Sequence, residues 1–107
     1  MEIKEFQQLI REIYGNRDNE RGLEKTFLWF IEEVGELSER IRQSLSKNQN
    51  IDKNKYHQLI AEELADVFAW GISLANLTDI DLEKAILEKY PGKCPRCGKK
   101  PCVCKTI

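Results

Sequence analysis

Two short acidic motifs constrain this chain more than any other feature of its sequence. Each has the form E-E-x-x-[E/D], and they span residues 32–36 and 62–66. Both lie inside runs whose apolar residues recur with helical spacing, so we expect each motif to lie on a helix. Residues three apart on a helix face the same way. Glu33 and Glu36 therefore form one pair of carboxylates, and Glu63 and Asp66 form a second pair.

The two pairs converge if their helices pack against each other. Neighbouring carboxylates repel one another and lose hydration, which is unfavourable without a cation. An oxygen-binding ion such as Mg²⁺ or Mn²⁺ relieves that repulsion. A di-iron helical protein would instead need E-x-x-H motifs, and the single histidine, His57, lies outside both motifs. The pattern therefore favours Mg²⁺ and a phosphorylated substrate over the alternative that these glutamates are simply solvated.

The apolar pattern predicts an all-α protein. It indicates helices over residues 1–14, 23–46, 53–76 and 82–90, with a polar loop at residues 15–22. Four helices with short connections predict an antiparallel four-helix bundle. Asp52 or Asn50 is expected to cap the third helix. That helix is apolar over so wide an arc that a second side should also be buried, which favours self-association to a dimer or tetramer.

Length and charge limit the functions that are open to this chain. Its 107 residues suit one domain, which we assign as a helical unit at residues 1–92 and a cysteine-rich tail at residues 93–107. A net charge of −1 gives no reason to expect a nucleic acid partner. No apolar run has the length of a membrane span, and the first residues are charged where a signal peptide would be apolar. We therefore expect a cytoplasmic protein.

Four further side chains near the motifs are candidates for substrate contact or proton transfer. Trp29 and Trp70 fall on the same flank of their helices as the carboxylate pairs. They either contact the substrate or pack in a core or an interface. Glu32 and Glu62 begin the two motifs and turn away from the pairs, and either is a candidate general base for an attacking water.

The motifs and their order resemble the MazG family of all-α nucleoside triphosphate pyrophosphohydrolases. The resemblance covers residues 23–90 and rests on F-I-E-E-V-G-E-L at residues 30–37 and E-L-A-D-V at residues 63–67. It implies Mg²⁺-dependent hydrolysis of a (deoxy)nucleoside triphosphate between the α and β phosphates, giving the monophosphate and pyrophosphate. It also implies Mg²⁺ ligands at Glu33, Glu36, Glu63 and Asp66, a phosphate contact at Lys89, and assembly into dimers or tetramers.

All four cysteines lie in the tail, at Cys94, Cys97, Cys102 and Cys104. The C-P-x-C-G turn at residues 94–98 is typical of a zinc knuckle, and four thiolates match the ligand number of a structural Zn²⁺ site. Disulfides or free thiols are the alternatives, because the C-x-C second half is tighter than the usual spacing. The tail also suggests a rival function, in which a catalytically inactive helical module binds a partner through its cysteines.

Overall fold

The computed structural model describes residues 1–47 and 50–105, and these residues form three α-helices and no strand. α1 spans Ile3–Ser44, α2 spans Lys53–Leu77 and α3 spans Leu82–Lys89. The predicted all-α class is confirmed, but the predicted four-helix bundle is not, because the described part of the chain has three helices. Residues 48–49 of the α1–α2 connection and residues 106–107 of the tail lie outside the described residues. Within the described ranges, no helix is both long and apolar enough to cross a membrane.

The first helix bends sharply at Gly22. This residue has φ 84° and ψ 167° within an otherwise helical segment, a backbone conformation that is essentially restricted to glycine. A straight helix of 42 residues would be about 63 Å long, yet the longest dimension of the protein is 47 Å. The bend divides α1 into an N-terminal arm, residues 3–21, and a C-terminal arm, residues 23–44.

The predicted polar loop at residues 15–22 is wrong, because residues 15–21 continue the helix. Two of its polar side chains, Asp18 and Arg21, take part in packing, while its other polar side chains are exposed. Asp18 is only 2 % exposed and accepts a hydrogen bond of 2.8 Å from Nη1 of Arg21. The buried Thr26 donates its hydroxyl to the carbonyl oxygen of Gly22 at 2.7 Å. Side-chain hydrogen bonds therefore form on both sides of the bend, between Arg21 and Asp18 before it and between Thr26 and Gly22 after it.

A buried glutamine joins the N-terminal arm to the other two helices. Nε2 of Gln7 donates to Oδ1 of Asn76 at 3.0 Å and to the carbonyl oxygen of Ile80 at 2.7 Å. Oε1 of Gln7 accepts from the backbone N–H of Leu82 at 3.1 Å. One side chain thus contacts the last turn of α2, the α2–α3 connection and the first turn of α3.

Aspartates cap the starts of α2 and α3. Asp52 accepts a hydrogen bond from the backbone N–H of Lys55, as one of the two predicted caps, and Asp81 accepts one from Lys84. Each satisfies a backbone N–H that would otherwise have no partner in the first helical turn. The bounds of α2 and α3 therefore fall within one residue of those predicted from sequence.

The single chain buries few apolar side chains. Among the described residues, the buried apolar ones are Ile10, Ile72 and Ala75. Large apolar side chains are exposed along the C-terminal arm and α2, namely Phe27, Leu28, Ile31, Val34, Ile41, Leu64 and Phe68. Such a surface is more typical of an interface than of a solvated face.

We expect Gly22→Ala to destabilise the fold by about 1–3 kcal/mol, because alanine is strained in this backbone conformation. The added Cβ would meet no atom within 4 Å, so the effect isolates the backbone. Gly15→Ala is the matched control, since Gly15 lies in regular helix and its Cβ would contact only Cγ of Arg11 at 3.6 Å. The control should stabilise the protein by up to about 1 kcal/mol. Urea unfolding measures both, and similar effects of the two substitutions would contradict this account of the bend.

Candidate metal centre

Carboxylates from two helices converge at the centre of the helix pair. Glu33 and Glu36 lie on the C-terminal arm of α1, and Glu63 lies on α2. One oxygen from each of the three lies within 4.8 Å of the others, and we call these residues the acidic cluster. Asp66 lies one helical turn beyond Glu63 and is outside that set, but its charge acts on both Glu33 and Glu63. The two carboxylate pairs therefore face each other across the helix contact.

The pKa values of this cluster reflect its crowding. Burial raises the pKa of Glu33 to about 7, and the neighbouring charge and hydrogen bond of Glu36 add to that shift. The pKa of Glu63 is also raised, first by burial and then by the charges of Glu36 and Asp66. Arg40 opposes the shift at Glu63, since its Nε lies 3.9 Å from Oε1 of Glu63. One distant guanidinium thus offsets only part of the negative charge.

Two oxygens of the acidic cluster are buried without a hydrogen-bond partner. They are Oε2 of Glu33 and Oε2 of Glu63. A buried carboxylate oxygen without a partner is unfavourable, and native proteins seldom contain one that a ligand or ion does not satisfy. A donor set made only of carboxylate oxygens suits a hard divalent cation such as Mg²⁺ or Mn²⁺. These residues therefore fit the metal that the sequence predicts.

A cleft of about 260 Å³ lies beside the acidic cluster, between α2 and the N-terminal arm. Asp66 and Trp70 line it from α2, and side chains around the bend line it from α1. The lining consists of Tyr14, Arg17, Asp18, Arg21, Asp66, Ala69, Trp70 and Ser73. Two arginines thus share one cleft with a carboxylate of the second acidic pair.

The wall of this cleft formed by α1 was not identified from the sequence. Asp18 was assigned to a solvated loop, but its Oδ2 is buried and has no hydrogen-bond partner, while its Oδ1 accepts from Arg21. A signal does exist in the sequence. Tyr14, Asp18 and Arg21 follow the i, i+4, i+7 spacing of one helical face, which argues against a loop.

The two tryptophans lie against each other. The rings of Trp29 and Trp70 are stacked, with centroids 5.9 Å apart and planes inclined by 13°. The guanidinium of Arg21 lies over Trp70, 4.7 Å from the ring centroid. Trp29 is the exposed member of this pair.

The remaining sequence-based candidates lie outside the acidic cluster. Glu32 is exposed, and Glu62 is exposed and accepts a hydrogen bond from Nε2 of Gln58 at 3.2 Å. Lys89 ends α3, with its Nζ 5.6 Å from the centre of the Tyr90 ring. None of the residues that line the cleft comes from α3. The roles of these three side chains stay predictions.

The cysteines form a second cluster, in the tail. Their four Sγ atoms lie within 4.8 Å of one another, and all four thiols are free. Backbone N–H groups of Val103 and Lys99 lower the pKa of Cys97 to about 6. Hydrogen bonds with neighbouring thiols, those of Cys102 and Cys97 foremost, raise the pKa of Cys104 to about 11. The tail therefore brings together all four predicted zinc ligands.

Comparison with known proteins identifies one family. The family model of the MazG nucleotide pyrophosphohydrolase domain matches residues 21–98, which is more than half of the chain. The match includes all four carboxylates of the two pairs. No curated protein and no solved structure matched the chain.

The raised pKa values predict an unusual pH dependence for the metal-free protein. Between about pH 4.5 and 7 the folded state binds more protons at Glu33 than the unfolded chain does, and the raised pKa of Glu63 acts in the same direction. Stability from Glu33 is therefore fully present below about pH 4.5 and is lost as the pH rises through about 7. We expect Tm in EDTA to fall over this range, and Mg²⁺ to raise Tm more at pH 8 than at pH 5.

The matched variants for this measurement are Glu33→Gln and Glu32→Gln. The first removes the main titrating group and should flatten the pH profile, whereas the second changes an exposed neighbour and should leave it intact. An unchanged profile in Glu33→Gln would show that the acidic cluster is not its source.

Proposed function

Because the chain belongs to the MazG nucleotide pyrophosphohydrolase family, we propose that it hydrolyses (deoxy)nucleoside triphosphates between the α and β phosphates. The products are the nucleoside monophosphate and pyrophosphate. The observation that carries this proposal is the acidic cluster, in which carboxylates from two helices converge with two oxygens buried and unpaired. The adjoining cleft supplies space for a ligand, and Arg17 and Arg21 in its wall are the groups that would contact an anion there.

Glu33, Glu36, Glu63 and Asp66 are the proposed ligands of Mg²⁺, for which Mn²⁺ is a chemically close substitute. When bound, the ion neutralises phosphate charge and orients the attacking water. The protein's own contribution begins with holding these four carboxylates on two packed helices. Their spacing of three residues on each helix presents both pairs toward one point.

The cleft is the proposed binding site for the nucleotide. Phosphates of the substrate would contact Arg17 and Arg21, because the arginines are the cations in the lining of the cleft. The base would stack on the Trp29–Trp70 pair, whose outer ring is accessible. Lys89 is also proposed as a phosphate contact, and the support for it is the resemblance to the MazG family.

A carboxylate that does not bind the cation would accept a proton from the attacking water. Glu32 and Glu62 are the proposed candidates, since each directly precedes a proposed metal ligand and carries an exposed side chain. Replacing the general base by glutamine should lower kcat without weakening Mg²⁺ binding. A residue whose replacement weakens Mg²⁺ binding would not be the base.

We also propose that the chain self-associates into a dimer or tetramer. The support is the small apolar core of one chain together with the exposed apolar face of the C-terminal arm and α2. Burying that face in a second copy removes apolar surface from water, at about 25 cal/mol per Å². The same face flanks the acidic cluster, so assembly would bring a second chain close to the site.

The direct test of the activity is pyrophosphate release from a panel of canonical and modified nucleoside triphosphates, with Mg²⁺ and then with EDTA. We expect metal-dependent release with the monophosphate as co-product. Release of inorganic phosphate instead of pyrophosphate would place the cleaved bond elsewhere, and no release by folded protein would favour the rival binding module.

Trp29→Leu and Lys89→Ala should raise KM if these side chains contact the substrate.

The double variant Glu36→Ala/Asp66→Ala tests the metal ligands. It should lose activity by at least about 100-fold. Mutating residues that only orient a metal ligand already lowers metal affinity or activity by about 10- to 100-fold, and removing the ligands themselves should cost more. Its fold should persist in EDTA, with equal or higher Tm since repulsion among carboxylates is relieved. The control is Glu83→Ala, which removes a carboxylate on α3 outside both pairs. Full activity in the double variant would refute these ligands.

Sedimentation equilibrium tests the self-association. We expect a mass of at least two chains for the natural protein and a shift toward one chain for Leu64→Glu. Leu87→Glu is the control, because Leu87 is a similarly exposed leucine (61 % against 51 %) on α3, away from the proposed face. Equal masses for the two variants would argue against an interface at Leu64.

A further inference from the structure

The cysteine-rich tail has a defined turn without a hydrophobic core. The backbone N–H of Cys94 donates to the carbonyl oxygen of Lys99 at 3.0 Å, and that of Gly98 donates to Cys94 at 2.8 Å. Gly98 has φ 71°, which closes this turn. Val103, the one aliphatic side chain between residues 93 and 105, is 66 % exposed. Apolar packing therefore does not account for the compact arrangement of the four thiols.

The distances between sulfur atoms match a tetrahedral metal site. Sγ of Cys94 lies 3.8 Å from Sγ of Cys104, and Sγ of Cys97 lies 4.0 Å from Sγ of Cys102. A tetrahedron with Zn–S bonds of about 2.3 Å has edges of about 3.8 Å. A disulfide would bring two sulfurs to about 2.05 Å. Two of the six sulfur–sulfur distances thus match the edges of a zinc tetrahedron, and all six lie within 4.8 Å.

A backbone N–H group points at one of these sulfurs and would stabilise a thiolate there. It is the amide of Cys104, which lies 3.4 Å from Sγ of Cys102. Hydrogen bonds of this kind orient metal ligands and offset their charge.

The surrounding charge also suits a thiolate site. Four thiolates around one divalent ion carry a net charge of −2, which nearby cations stabilise. Residues 93–105 contain no acidic side chain and include five basic ones, namely Lys93, Arg96, Lys99, Lys100 and Lys105. This excess of positive charge is confined to the part of the chain that holds the cysteines.

We propose that Cys94, Cys97, Cys102 and Cys104 bind one Zn²⁺ ion in a closed, structural site. All four ligand positions are filled by protein, so the site offers no open position for a substrate. This inference goes beyond the proposed hydrolase activity, because it assigns a second metal site of different chemistry. Zinc binding would replace the missing apolar core as the source of the tail's stability.

The test is metal content of the full chain, purified under reducing conditions and then reconstituted with excess zinc and dialysed. Mass spectrometry of the metals should find about one zinc per chain. Cobalt in place of zinc should give the thiolate charge-transfer bands of a tetrahedral site. Cys97→Ser/Cys104→Ser should lose the zinc while circular dichroism still reports the three helices.

The control is Glu36→Ala/Asp66→Ala, which should keep its zinc whether or not the protein hydrolyses nucleotides. Metal content thereby separates failure of this inference from failure of the proposed function. Iron in place of zinc, a thiol titration that finds disulfides, or four free thiols with no zinc after reconstitution would each overturn the assignment. Zinc lost from Glu36→Ala/Asp66→Ala and retained by Cys97→Ser/Cys104→Ser would place the zinc at the acidic cluster and refute the proposal.

Discussion

Carboxylates that repel one another are held together here by the packing of two helices. The C-terminal arm of α1 meets α2 through the stacked rings of Trp29 and Trp70 on one side of the acidic cluster. Phe30 packs against Gly71, where a ring carbon lies 3.7 Å from the position that a Cβ would occupy. Apolar contact thus balances electrostatic repulsion, and the unpaired oxygens of Glu33 and Glu63 remain between the helices. The close approach of these carboxylates therefore depends on how the two helices pack.

The acidic cluster and the cysteine cluster differ in the donor atoms that they offer to a metal and in their structural setting. The acidic cluster offers hard carboxylate oxygens in the helical unit, whereas the tail offers soft thiolates in a short irregular segment. Oxygen ligands suit Mg²⁺ and Mn²⁺, and four sulfurs suit Zn²⁺. Four thiolates therefore discriminate against Mg²⁺, whereas carboxylates also bind Zn²⁺, so the choice of Mg²⁺ at the acidic cluster would depend on geometry and metal availability.

Much of the helical unit was predictable because its signals are local. The spacing of three between Glu33 and Glu36 determines that both face one side of a helix, whatever the helix packs on. The failure came at residues 15–21, where Asp18 and Arg21 looked like solvated charges. They are instead a packed ion pair, and a pattern of polar and apolar residues does not reveal a contact between two charged side chains. The mutual stacking of Trp29 and Trp70 likewise depends on the relative position of two helices, which no local spacing specifies.

The bend at Gly22 separates the residues of α1 that line the cleft from those that carry the first carboxylate pair. The family match begins at residue 21, at the bend itself. The C-terminal arm carries two of the four carboxylates, while Tyr14, Arg17 and Asp18 reach the cleft from the N-terminal arm, outside the matched range. The α1 wall of the cleft is therefore encoded apart from Glu33 and Glu36, whereas Asp66 belongs both to the cleft and to the second carboxylate pair. Substitutions at Tyr14 or Arg17 would thus change the lining of the cleft without altering any residue of the C-terminal arm.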